Sequence, residues 1–314
     1  MSSTMNRRHF LQTGALAAGA TATVPAMAQS VEQPKYQNGT SPWPLCMNTS
    51  TIRPATLEQK VEASAKAGYD AMELWVGDLE EYEKAGNDVK ALGQRIKDHG
   101  MFVIDVIGLW DCLPPTQEEY DAIMPTTRKR MELSAAVGSK HVATLPLPNR
   151  DTFDMAWATE KYRELLNIGR NDYGILPSFE FVSLFKTVFK MGQAACIAID
   201  ANDPDASIVA DTFHMHKGGG GFEGVRHLDG RFISTFHWND VAGDLPPAEL
   251  GDKDRILPGD GILPLKSVLQ QLKDIGYTGP ISLELFNRTH WEMDPNEVAV
   301  LGIESMRKQV AEFV

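Results

Sequence analysis

The 314-residue sequence has only three cysteines, Cys46, Cys112 and Cys196, and no two of them form a C-x-x-C pair. A zinc ribbon or a redox dithiol needs that spacing, so separate, buried thiols are the plain expectation. There is no extended run of lysine and arginine, and the formal net charge is -12. Phosphate backbones and anionic lipid surfaces are bound by clustered cations, so no nucleic acid and no membrane surface is expected as a partner. No glycine-rich phosphate turn follows the first apolar run, which argues against a doubly wound sheet. Lys217-Gly-Gly-Gly-Gly221 lacks both the G-x-G-x-x-G spacing and the Lys-Ser/Thr ending of a P-loop, and reads as a loop.

What remains is an ordinary globular composition, 43% hydrophobic and 23% charged. The length admits one large α/β barrel or two smaller domains. Met1 to Ala28 stands apart. Arg7-Arg8-His-Phe-Leu11 resembles a twin-arginine export signal; an Ala/Gly/Thr-rich run follows, and Ala26-Met-Ala28 fits a small-x-small cleavage site. The run is too short and glycine-rich for a permanent membrane span. The expectation is a signal peptide over 1–28, a mature domain over 29–314, and a periplasmic or otherwise exported protein. Removing the signal leaves 28 basic against 42 acidic residues.

Along the mature chain, apolar runs and helical spacing alternate. Strands are expected at 44–49, 69–75, 101–108, 140–145, 174–181, 206–213, 232–238 and 280–285. Helices are expected from the capping box Thr56-Leu-Glu-Gln59, over 87–100, over 116–138 with an interruption near Pro125, and over 153–168, 184–197, 263–276 and 295–313. Gly68, Gly100 and Gly276 stand where helices must stop. Eight alternations over ~270 residues match a single-domain (β/α)8 TIM barrel, whose chemistry sits at the C-terminal ends of its strands.

The polar residues at those ends are Asn48, Thr49, Glu73, Asp111, Glu180, Asp211, His214, His237, Asn239 and Glu284. A carboxylate inside an apolar strand is unfavourable unless paired or metal-bound, and Glu180 and Glu284 sit in such runs. Taken singly, each could be a structural ion-pair partner or a helix cap. Four strand ends delivering Glu180, Asp211, His237 and Glu284 to one point would make a mixed oxygen and nitrogen set suited to one divalent cation. Mg, Mn, Co and Zn all tolerate it.

These residues resemble the xylose-isomerase-like sugar isomerase/epimerase superfamily: Glu180 on strand five, Asp211-Thr-Phe-His214 on strand six, His237 on strand seven and Ser282-Leu-Glu284 on strand eight. Arg255-Ile-Leu-Pro-Gly-Asp-Gly261 is similar to that family's R-x-x-P-G-x-G segment. The resemblance implies metal ligation by Glu180, Asp211, His237 and Glu284, and substrate contact by His214, Arg255 and, less specifically, Glu73. Relatives often form dimers or tetramers, so it leaves a homo-oligomer open. Endonuclease IV-like members use more histidines than this acidic chain offers.

The implied mechanism chelates a hydroxy-ketone, and Glu180 and Glu284 move a proton on opposite faces of an enediolate. That gives sugar isomerisation or epimerisation. The same constellation runs β-elimination, so a dehydratase of a keto-cyclitol or keto-sugar is the alternative. A non-catalytic periplasmic sugar-binding protein is a third. Export and the absence of a phosphate clamp favour a non-phosphorylated sugar or polyol. Trp75, Trp110, Trp238 and Trp291 are candidates for a sugar-facing wall or for core packing.

Overall fold

The computed structural model describes residues 35–145, 150 and 153–314. The expected export signal and its cleavage point lie outside the described residues.

Eight parallel strands close into a barrel: β1 (Leu45–Asn48), β2 (Ala71–Trp75), β3 (Phe102–Leu109), β4 (His141–Thr144), β5 (Leu176–Glu180), β6 (Ile208–Asp211), β7 (Ile233–Trp238) and β10 (Ile281–Leu283). Each pairs with its neighbour in chain order, and β10 pairs with β1 to seal the ring. Two short strands, β8 (Asp240–Val241) and β9 (Arg255–Ile256), form an antiparallel ladder in the connection after β7. The barrel strands are almost wholly buried, as expected of parallel strands covered on both faces.

The surrounding helices are α1 (Leu57–Ala67), α2 (Val76–Lys84), α3 (Val89–Asp98), α4 (Gln117–Ala136), α5 (Met155–Ile168), α6 (Met191–Asp200), α7 (Thr212–Lys217), α8 (Leu265–Asp274), α9 (Arg288–Trp291) and α10 (Pro295–Val310). The expected capping box opens α1: Thr56 Oγ1 accepts from Gln59 N, and Thr56 N donates to Gln59 Oε1. Gly68, Gly100 and Gly276 follow their helices with φ of 88°, 80° and 72°, a region that only glycine enters without strain. On α8, Leu265, Val268, Leu269 and Leu272 bury one stripe against the barrel. Each such leucine contributes about 1.5–3 kcal/mol on burial. α10 presses close to the seam: a Cβ built on Gly302 would lie 2.4 Å from Leu283 Cδ2 and 2.6 Å from the Tyr69 hydroxyl.

Four local expectations are corrected. α4 is continuous through Pro125. Residues on both sides of the proline, Tyr120 and then Thr127 and Met131, are buried, and that packing outweighs the lost N–H. α6 starts at Met191 rather than Leu184, because Gln193 Oε1 accepts from Phe189 N and Lys190 N and fixes the helix start there. The sixth strand ends at Asp211, whose Oδ1 accepts from His214 N and turns Thr212 to Lys217 into a helix. α2 follows β2 without a break and was not expected.

Candidate metal centre

Parallel strands aligned in one barrel end at one level, and this places the four residues. Glu180 ends β5, Asp211 ends β6, His237 lies one residue from the end of β7, and Glu284 follows β10. Asp211 and His237 are register partners on adjacent strands. Glu180, Asp211, His237 and Glu284 each offer a ligand atom, these atoms lie within 4.8 Å of one another, and all four residues are buried.

His237 is the hub. Its Nδ1 stands 3.1 Å from Glu284 Oε2, 3.4 Å from Glu180 Oε1 and 3.4 Å from Asp211 Oδ2. It makes no hydrogen bond with any of them. A buried ring nitrogen without a partner, ringed by three carboxylate oxygens, fits a shared cation. Three oxygens and one imidazole nitrogen suit a hard or borderline divalent ion.

The charges are unevenly balanced. Burial, and then the neighbouring Glu284 and Asp211, push Glu180 up to about 7 against His237. Burial also raises Glu284, although His237 and Arg255 oppose the rise. Burial works against the charge on Asp211, but Arg255, His214 and His237 outweigh it and hold the group well below the usual carboxylate range. His237 is pushed well above its ordinary value: burial disfavours its charge, and Glu284 and Glu73 prevail.

Arg255, delivered by β9, spends its whole donor fork inside the protein. Nη1 donates to Asp211 Oδ2 at 2.6 Å and Glu284 Oε2 at 2.9 Å. Nε and Nη2 donate to Asp252 Oδ1, and Nη2 also reaches His214 Nε2 at 3.3 Å. Four of the five N–H groups in the fork end on carboxylates. Arg255, expected from the sequence as a substrate contact, clamps two carboxylates of the cluster. Phe213 and Phe286 lie against the guanidinium, at 4.5 and 5.3 Å.

Glu73, the less specific of the expected substrate contacts, lies next to His237. It is fully buried behind His237, with Oε1 2.9 Å from Nε2. Its Oε2 accepts from Asn48 Nδ2 at 2.8 Å and Ser282 Oγ at 2.6 Å. His214 does reach the cluster. Burial pulls its ring down to about 4, so it is neutral, and Nδ1 lies 2.9 Å from Ser183 Oγ.

Trp75 stacks on Trp110 at 5.7 Å and meets Phe286 edge-on at 5.7 Å. Its Nε1 donates to Asn48 Oδ1. Trp238 is core, and Trp291 donates to Ser50 O. Lys217 Nζ donates to the carbonyls of Pro247 and Ala248.

Two buried acids had no visible role in the sequence. Asp240 accepts from the backbone N–H of Val241, Gly259, Gly261 and Leu263, and so folds the Pro-Gly-Asp-Gly segment beside Arg255. A Cβ on Gly261 would meet Val241 O at 2.1 Å, which explains that glycine. Asp105 lies buried on β3, pushed well above the usual carboxylate range by burial and then by Glu73. A polar residue after a strand was the only available signal for Asp240, and Asp105 gave none beyond a carboxylate in an apolar run.

The family model of the xylose isomerase-like TIM barrel matches residues 61–309. An inosose isomerase of Bacillus velezensis is 28% identical over 277 residues, which cover 86% of this chain and 98% of that protein. A 3-dehydroshikimate dehydratase of Pseudomonas aeruginosa is 25% identical over 255 residues, covering 80% of this chain and 39% of that protein. The solved structure of the IOLI protein with a bound zinc atom superposes with a TM-score of 0.78 at 25% identity, covering 86% of this chain and 99% of that one.

Proposed function

This chain belongs to the xylose isomerase-like TIM barrel family, and from that premise we propose that it is a divalent-metal-dependent isomerase or epimerase. Its substrate is a non-phosphorylated keto-sugar or keto-cyclitol, and it works by proton transfer. The observation that carries this reading is the partnerless Nδ1 of His237 facing Glu180, Asp211 and Glu284. The similarity to an inosose isomerase supports the cyclitol class. Zinc is the first metal to try, because the similar IOLI protein holds it.

A cation held by Glu180, Asp211, His237 and Glu284 supplies Lewis acidity that makes the C–H beside a carbonyl acidic. The side chains have distinct tasks. Among the described residues no arginine or asparagine bonds to Glu180, and burial pushes it up to about 7, which suits a group that takes the proton from carbon and gives it back. Glu284 is held by Arg255 and Asn48. It faces the substrate from the other side and serves the opposite transfer. Neutral His214 accepts from Ser183 N through Nδ1, so its proton sits on Nε2, and that N–H is the group it offers to a substrate oxygen. Trp75 and Trp110 provide an apolar wall for the C–H face of a ring.

A dehydratase is the second reading. The similarity to a 3-dehydroshikimate dehydratase favours it, and a carboxyl raised like that of Glu180 can protonate a departing hydroxyl. The twin-arginine pattern supports action outside the cytoplasm, on unphosphorylated compounds.

The test is zinc- or manganese-loaded protein with a panel of keto-cyclitols and keto-sugars in deuterated buffer. Exchange of the α-proton with conversion to an isomer supports the proposal. Loss of water selects the dehydratase. Binding without exchange would reduce the protein to a sugar binder.

A further inference from the structure

We propose that Glu73 is a positioning residue that decides which ring nitrogen of His237 faces the metal, and that Asn48 ties this setting to Glu284. The inference rests on the metal reading above and goes beyond it, because Glu73 touches neither the cation position nor a substrate.

Three donors converge on the Glu73 carboxylate: His237 Nε2, Asn48 Nδ2 and Ser282 Oγ, at 2.9, 2.8 and 2.6 Å. Glu73 Oε2 already accepts from Asn48 and Ser282, and Oε1 faces Nε2 as a third acceptor, so the N–H of a metal-bound His237 belongs on Nε2 and Nδ1 is the nitrogen left to ligate. Nδ1 is also the atom that lacks a partner and faces the three carboxylates. The outer acid, the ring tautomer and the inner gap thus agree.

Asn48 extends the device. Its Nδ2 donates to Glu73 Oε2 and, at 3.2 Å, to Glu284 Oε1. Its Oδ1 accepts from Ser50 N and Trp75 Nε1. Both donor hydrogens and both lone pairs of the amide are in use, so it cannot flip without breaking several bonds. One side chain therefore aligns the acid behind His237 with a ligand beside it, and anchors both to the aromatic wall.

Glutamine at position 73 cannot satisfy these neighbours. If its oxygen faces His237, its amide nitrogen meets the Asn48 donor. If its nitrogen faces His237, Nε2 must accept and the proton moves to Nδ1, the atom needed inside. Loss of such an outer partner weakens metal binding about 10–100-fold.

The experiment uses zinc alone as the probe. In Glu73→Gln, zinc affinity measured against a competing chelator should fall by about 10–100-fold, with the metal-free melting temperature recorded alongside. Independently, ¹⁵N-histidine spectra of the zinc-loaded wild type should show His237 protonated at Nε2 and ligated at Nδ1. Ligation through Nε2, or unchanged zinc affinity in a folded Glu73→Gln protein, overturns the inference and leaves the functional reading standing. Should that variant fail to fold, the wild-type spectrum still decides. A wild type that binds no zinc would remove the metal reading and this inference together.

Discussion

Arg255 Nη1 lies 2.6 Å from Asp211 Oδ2, where neither side chain is more than 2% exposed. The same nitrogen serves Glu284 at 2.9 Å. One guanidinium thus offsets two of the three carboxylates of the cluster, and among the described residues the third, Glu180, faces the histidine. Arg255→Met should strand two buried charges and destabilise the protein by about 3–5 kcal/mol. Excess divalent metal should restore part of that loss. Urea unfolding with and without metal measures both effects.

Glu180 is the least restrained of the three acids. Glu180→Gln should lower α-proton exchange by about 10²–10⁴-fold at saturating metal. Comparing exchange rates at equal metal occupancy isolates the proton-transfer role. Full exchange by the variant would assign that role elsewhere.

A metal that binds only the folded chain stabilises it by mass action, by about 2.7 kcal/mol at a hundred times its dissociation constant. Zinc or manganese should therefore raise the melting temperature in a concentration-dependent way, and a chelator should reverse the rise. Glu284→Gln should blunt the response.

Acid sensitivity should have a source at the opposite end of the barrel. His141 begins β4, is 7% exposed, and has Nδ1 3.3 Å from Ser178 Oγ. Burial pulls its ring down to about 3, while an unfolded histidine titrates near 6.5. Between these values the unfolded chain binds more protons. The stability contribution is complete above about 6.5 and declines as the pH falls toward 3. A folded His141→Gln variant should lose less stability between pH 7 and pH 4.5 than the wild type, as read from urea midpoints.

Gly302 tests the packing that holds α10 on the barrel. Gly302→Ala places a methyl group against Leu283 and Tyr69 and should cost about 1–3 kcal/mol through overpacking. Equilibrium unfolding measures that loss.

The sequence revealed most where a signal is local. The Thr56 capping box and the Gly68, Gly100 and Gly276 stops depend on a few neighbouring residues and were found where expected. The eightfold alternation led to the barrel for the same reason. The convergence of Glu180, Asp211, His237 and Glu284 could be suspected because a carboxylate in an apolar strand needs a partner. Direction was beyond reach. Whether Glu73 faces the mouth or the back of His237 depends on how strands 164 residues apart are rotated against each other. The same holds for Arg255, whose donors are taken up by residues 44 and 29 positions away. The start of α6 depends on one glutamine side chain folding back, which hydrophobic spacing does not record.

The ring closes only when the last strand docks on the first, with Thr51 Oγ1 donating to Leu283 O and accepting from Leu285 N across the join. Glu284 lies one residue beyond that strand. During synthesis, therefore, a ribosome must have released the chain through Glu284 before any ion can find its full complement of ligands. Ion capture would then report that assembly is finished, and a chain cut short upstream of the join should hold none tightly.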